Sequence, residues 1–122
     1  MKTLANSTSM KYSDQKMITV VEFENFARFA AKHLSADECE ALKDFLAINP
    51  EGGVLIQGTG GLRKLRWAMQ GRGKSGGVRV IYYYHNQDMP LLLISGFAKN
   101  EMENIRQAAK NAYKKLIPLL VQ

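Results

Sequence analysis

Three strand-like runs separated by short turns fill the second half of the chain and leave it little choice of architecture. Residues 62–69, 78–84 and 90–96 are rich in β-branched, aromatic and aliphatic side chains. A glycine-rich turn (70–77) and a polar turn (85–89) lie between them. Strands joined by such short connections must run antiparallel. The run VRVIYYY, beginning at Val78, is the strongest strand signal in the sequence. A shorter β-branched run, residues 17–22, precedes two helical stretches. Phe26, Phe29, Ala30 and His33 recur at helical spacing, which predicts a helix over 24–34. Ser35 and Glu38 form a capping-box pattern. It opens a second helix bearing Cys39, Leu42, Phe45 and Leu46, which Asn49-Pro50 and Gly52-Gly53 stop. Asn100, with Glu103 three residues on, is placed to cap a last helix. The apolar face of that helix would be Ile105, Ala108, Ala109, Ala112 and Leu116, and Pro118 would limit it. The order β-α-α-β-β-β-α predicts an α+β fold: a small antiparallel sheet with helices covering one face and the other open.

The 122 residues suit one domain, residues 17–122. Residues 1–16 carry no hydrophobic period and read as a mobile arm or as sequence added for expression, with Met10 and Met17 as alternative starts. No apolar run approaches the roughly 20 residues that span a bilayer. Nothing resembles a signal peptide. One cysteine, Cys39, excludes an internal disulfide framework and a cysteine-based zinc cluster. A cytoplasmic protein with no membrane partner is expected.

Net charge is +6, and its placement matters more than its size. Arg63, Lys64, Arg66, Arg72, Lys74 and Arg79 fall between positions 57 and 79, a stretch with no acid. The rest of the chain is neutral, so the whole excess sits in one segment. A focused patch of one sign concentrates a partner of the other, most often nucleic acid. Strand alternation sharpens this. Arg63, Leu65, Trp67 and Met69 share one face, and Leu62, Lys64, Arg66 and Ala68 the other. The apolar set suits the core, which leaves Lys64 and Arg66 side by side on the open face. On the next strand Arg79 shares a face with Ile81 and Tyr83, opposite Val80, Tyr82 and Tyr84. The glycine-rich turn adds Arg72 and Lys74. Arginines suit bidentate phosphate contact, lysines act as point charges, and tyrosines such as Tyr82 and Tyr84 suit base stacking.

Other chemistries are poorly supplied. His33 lies on an apolar helix face and His85 in a turn, so no histidine pair is set up for acid–base work. No His/Asp/Glu cluster has metal-ligand spacing, and the basic segment has no carboxylate to hold magnesium. The glycines around Thr59 lack the ending of a P-loop. No metal and no cofactor are expected. A basic groove without either can still cleave RNA, because the 2′-OH is an internal nucleophile. The protein need only align it, stabilise charge on the phosphate and assist two proton transfers. Clustered cations favour the neutral form of a lysine, making it available as a base.

The segment IQGTGGLRKLRWAMQGRGKSGGVRVIYYY, from Ile56, with the later LLLISGFAKNEMENI, resembles the RelE/ParE toxin superfamily, most closely its HigB-type branch. The resemblance covers about residues 17–115 and implies the same microbial-ribonuclease-type α+β fold. It implies a toxin of a type II toxin–antitoxin system: a metal-independent endoribonuclease, or mRNA interferase, that cuts mRNA codons in the ribosomal A site and so inhibits translation. The implied partners are the ribosome with its mRNA and a cognate antitoxin with a helix-turn-helix domain, through which alone operator DNA would be bound. Position by position, Lys64 and Arg66 fall on the paired basic residues of the catalytic strand, and Arg79 on the arginine that opens the next. Lys99 or Asn100 falls on the basic position after the last strand. Arg63, Arg72, Lys74, Tyr82, Tyr84 and Asn100 are then expected to contact substrate. Some relatives carry a catalytic tyrosine in the last helix, where this chain reads Glu103-Asn104-Ile105-Arg106. The general base is therefore sought among Lys64, Lys74 and Lys99, with Tyr82 or Tyr84 if they face the groove. The alternative within the superfamily is a ParE-like toxin that binds DNA gyrase and cuts nothing.

Overall fold

The computed structural model describes residues 17–68, 77–99 and 106–121. Its elements are β1 (Val20–Glu22), α1 (Glu24–His33), α2 (Ala36–Ile48), β2 (Val54–Leu55), β3 (Leu62–Trp67), β4 (Val78–Tyr83), β5 (Leu91–Ala98) and α3 (Gln107–Leu120). They form a mixed α+β domain around one five-stranded sheet of order β1-β5-β4-β3-β2. The three long strands make the expected antiparallel meander. β4 is buried almost end to end, as suits a central strand with a near-continuous apolar sequence.

Two features of the sheet differ from the sequence-based expectation. β1 pairs with β5 in parallel, which the two intervening helices permit by carrying the chain back along the sheet. A two-residue strand, β2, adds an antiparallel edge to β3.

α1 and α2 cover the first sheet face. Phe26, Phe29, Leu42 and Leu46 pack there on Leu65, Val80, Tyr82 and Leu93. Close approach sets one residue choice: a Cβ on Gly96 would lie 2.5 Å from the Phe29 ring, so only glycine lets α1 settle this near β5. The capping box is present, with Ser35 Oγ accepting from Glu38 N at 3.0 Å and Glu38 Oε1 accepting from Ser35 N at 2.9 Å. It satisfies two N–H groups that a helix start would otherwise leave unpaired.

The second face, open in the sequence-based expectation, is partly covered. α3 lies on this side, where Ile117 joins Ile56, Leu62, Ile81, Tyr83, Leu92, Ile94 and Phe97 in a second apolar cluster. Tyr113 and Leu120 pack against it, so the helix meets the sheet through positions 113, 117 and 120, while Leu116 stays exposed. α3 begins at Gln107 and continues through Pro118 rather than ending there. Proline this near a C-terminus removes one late hydrogen bond, and packing of the neighbouring Ile117 offsets it. The expected cap at Asn100 lies outside the described residues.

Candidate nucleic-acid interface

β3 and β4 pair so that Leu62 faces Tyr83, Lys64 faces Ile81 and Arg66 faces Arg79. All six point to the second face. α3 packs on the Leu62–Tyr83 end of that face, and no helix among the described residues packs on the Arg66–Arg79 end. Two arginines directly opposite each other repel. Among the described residues no carboxylate pairs with either. Arg79 Nη1 makes a long hydrogen bond, 3.4 Å, to the Val78 carbonyl. Glu22, on β1 at the far edge of the sheet, pairs instead with Lys43 at 2.6 Å.

Arg66 and Arg79 line two adjoining depressions. One, of ≈ 440 Å³, is completed by Lys64, Val54 and Gly52. The other, of ≈ 190 Å³, is completed by Trp67, Ala68 and Gly77. Lys99 follows the end of β5 and its N–H donates to the Gly77 carbonyl at 3.3 Å. Its backbone therefore sits beside the start of β4, two residues before Arg79. Lys64, Arg66, Arg79 and Lys99 are thus gathered at one end of the sheet. Arg72, Lys74 and Asn100 lie outside the described residues.

Three residues expected at the substrate are placed elsewhere. Arg63 points to the first face, where Nη1 donates to the Gly53 carbonyl at 2.8 Å and Nη2 lies 3.7 Å from Glu51 Oε2. Its role there is to hold the chain between α2 and β2. Tyr82 is fully buried on the same face. Its hydroxyl donates to the Pro50 carbonyl and accepts from Gly53 N, both at 2.8 Å. Burial pushes its pKa up, so the phenol stays neutral. Tyr84 packs against the first-face cluster. Both tyrosines lie on the face opposite to Arg66 and Arg79.

Aromatics in the cluster on the arginine face include Tyr83, Phe97, Tyr113 and Phe23. Phe97 lies directly across β5 from Arg79. Burial raises the pKa of both Tyr83 and Tyr113. Tyr83 shares a 3.1 Å hydrogen bond with His85 Nδ1. Strand alternation had already put Tyr83 with Arg79. Phe97 and Tyr113 required the β4–β5 register and the seating of α3.

The loop before β3 is a scaffold rather than a ligand cradle. Thr59, fully buried, donates to the Ile56 carbonyl at 2.6 Å and accepts from Leu62 N at 3.1 Å. Gly60 and Gly61, at φ of 81° and 124°, supply the left-handed backbone this turn needs. Together they fix where β3 starts, and hence which face Lys64 and Arg66 occupy. Among the described residues no cluster of His, Cys, Asp or Glu is arranged to hold a metal ion, and no helix is long and apolar enough to cross a membrane.

The chain matches, over residues 18–121, the family model described as the RelE toxin of the RelE/RelB toxin–antitoxin system. A solved structure of E. coli toxin RelE, an arginine double mutant in the free state, aligns with it at 18% identity and a TM-score of 0.50. The alignment covers 71% of this chain and 88% of that one, and the likeness is one of fold.

Proposed function

The chain belongs to the RelE toxin family of toxin–antitoxin systems, and on that premise we propose that it is a ribosome-dependent mRNA endoribonuclease acting without a metal. The observation that carries this reading is the cross-strand Arg66–Arg79 couple, which no carboxylate pairs and no helix covers among the described residues. A charge pair set against itself weakens the fold unless an anion comes between the two. The scissile phosphate of an A-site codon is such an anion.

In this reading the 2′-OH of the nucleotide before the cut attacks phosphorus and the 5′-oxygen of the next nucleotide leaves. The products are a 2′,3′-cyclic phosphate and a 5′-OH. Arg66 and Arg79 hold the non-bridging oxygens, where negative charge grows as attack proceeds. Lys64, on the same strand face as Arg66, takes the proton of the 2′-OH. Lys99, beyond the end of β5, serves the leaving oxygen. The cognate antitoxin, proposed to carry a helix-turn-helix domain as in HigB-type pairs, neutralises the same cationic surface.

Primer extension on ribosome-bound mRNA tests this. Cuts phased to the A-site codon are expected with the wild type and not with the Arg66→Ala/Arg79→Ala variant at equal folded concentration. Gyrase-linked DNA breaks with uncut mRNA would replace this reading by the ParE-like one.

A further inference from the structure

Beyond the arginine couple, in the direction of β5, lies a further depression of ≈ 330 Å³. Phe97 and Tyr113 line it with Ala108 and Ala109, and Ser95 and Arg106 are its polar members. We propose that this pocket receives one unpaired nucleobase of the codon and is a determinant of base preference at the cut; the inference rests on the nuclease reading above.

Position carries the first part of the argument. Arg66, Arg79 and Phe97 form a row across three neighbouring strands on one sheet face. Adjacent strands are about 4.8 Å apart, so the pocket starts one strand spacing beyond the phosphate-binding arginine. That offset is on the scale that separates a nucleotide's phosphate from its base.

Chemistry carries the second. The lining is mostly apolar and includes two aromatic rings, which suits a flat π-face rather than a charged group. The volume is at the lower end of the range for small-molecule sites, about 300–1,000 Å³. Single-stranded RNA is read by splaying bases onto aromatic rings and hydrogen-bonding their edges. Ser95 and Arg106 stand where edge contacts are needed, one an acceptor and donor and the other a donor only. Neither aromatic ring is used by the proposed phosphate chemistry, yet both are on its face.

Programmed ribosomes carrying A-site codons that differ at one base provide the test. Their mRNA holds 2-aminopurine at each codon position in turn, with a 2′-O-methyl block for binding and a free 2′-OH for cleavage. Wild type should quench the fluorophore at one position. Tyr113→Leu and Ala109→Leu, the second filling the pocket from the helix, should relieve that quenching and flatten the codon profile. Stacking on a ring is worth roughly five- to a hundredfold in affinity, so a loss in that range in kcat/KM on the preferred codon is expected. Ala109→Leu removes no packing atom, so its melting temperature should hold while preference is lost. If wild type cleaves and both folded variants keep its quenching and codon profile, the pocket assignment is overturned and the nuclease reading stands. If the variants instead lose antitoxin affinity with codon profile intact, the pocket is a protein contact and the assignment is likewise overturned. If wild type cuts no ribosome-bound mRNA, both readings fail together.

Discussion

Arg79 has its stem fixed by a central strand and its head free of any carboxylate among the described residues. Its planar fork can meet two phosphate oxygens at once, which an ammonium cannot. Arg79→Lys should therefore keep the melting temperature and lower single-turnover cleavage by about a hundredfold, the equivalent of roughly 3 kcal/mol. A folded variant that cuts at the wild-type rate refutes the assignment. Tyr82 predicts the reverse pattern. Its hydroxyl joins the Pro50 carbonyl and the Gly53 N–H inside the fold. Tyr82→Phe leaves both unsatisfied and should cost about 1–3 kcal/mol in urea unfolding, with cleavage per folded molecule unchanged. The sequence alone separated these residues only in part. Period-two alternation put Arg79 and Tyr82 on opposite faces, but three consecutive tyrosines drew attention by composition. What alternation cannot show is that Pro50 and Gly53, some thirty positions earlier, come to meet the Tyr82 hydroxyl.

At the scale of elements, local signals were legible and pairings were not. The capping box that opens α2 is encoded within four residues and is present as expected. The parallel partner of β1 lies some seventy residues away, and nothing in Val20–Glu22 specifies it. β2 is too short to show alternation. α3 misled because alanines fill several of its faces, so the stripe that packs, Tyr113 and Ile117, did not stand out from Ala112 and Leu116. The contact between β1 and α2 gives a pH prediction. Lys43 Nζ donates to Glu22 Oε2 at 2.6 Å, and that hydrogen bond raises the lysine pKa above its ordinary 10.5. A cationic group with a raised folded pKa stabilises the fold at every pH below its unfolded value, and the contribution disappears as pH climbs through the folded value. The pair is partly exposed, so the effect is below about 1 kcal/mol. Glu22→Gln should lower the melting temperature slightly at pH 8, and the gap to wild type should close beyond pH 10.5. A gap that widens there would refute the pairing.

The whole molecule divides its labour by face. One side of the sheet is buried under α1 and α2; the other is shared between an apolar cluster under α3 and a cationic end. The sequence showed the concentration of charge directly, because all of the excess falls in one segment. With phosphate contacts from Lys64, Arg66, Arg79 and Lys99, the salt slope for single-stranded RNA would be about −3. Affinity for programmed ribosomes should then fall roughly fiftyfold between 50 and 200 mM salt. Binding indifferent to salt would argue for recognition by shape alone.

The opposed arginines make the free toxin an unfinished object. Among the described residues nothing neutralises the repulsion between them, so an anion that does should raise occupancy and solidity together. Blunting the site should harden the protein: Arg66→Gln should melt higher than wild type in chloride at low ionic strength. Adding a polyanion such as heparin should reverse that ranking by stabilising only the chain that still has both arginines, as mass action requires of any ligand that prefers the native state. If the ranking never reverses, the repulsion is not what the anion relieves. A cell that makes this toxin without its antitoxin therefore makes a protein whose most secure resting place is its target.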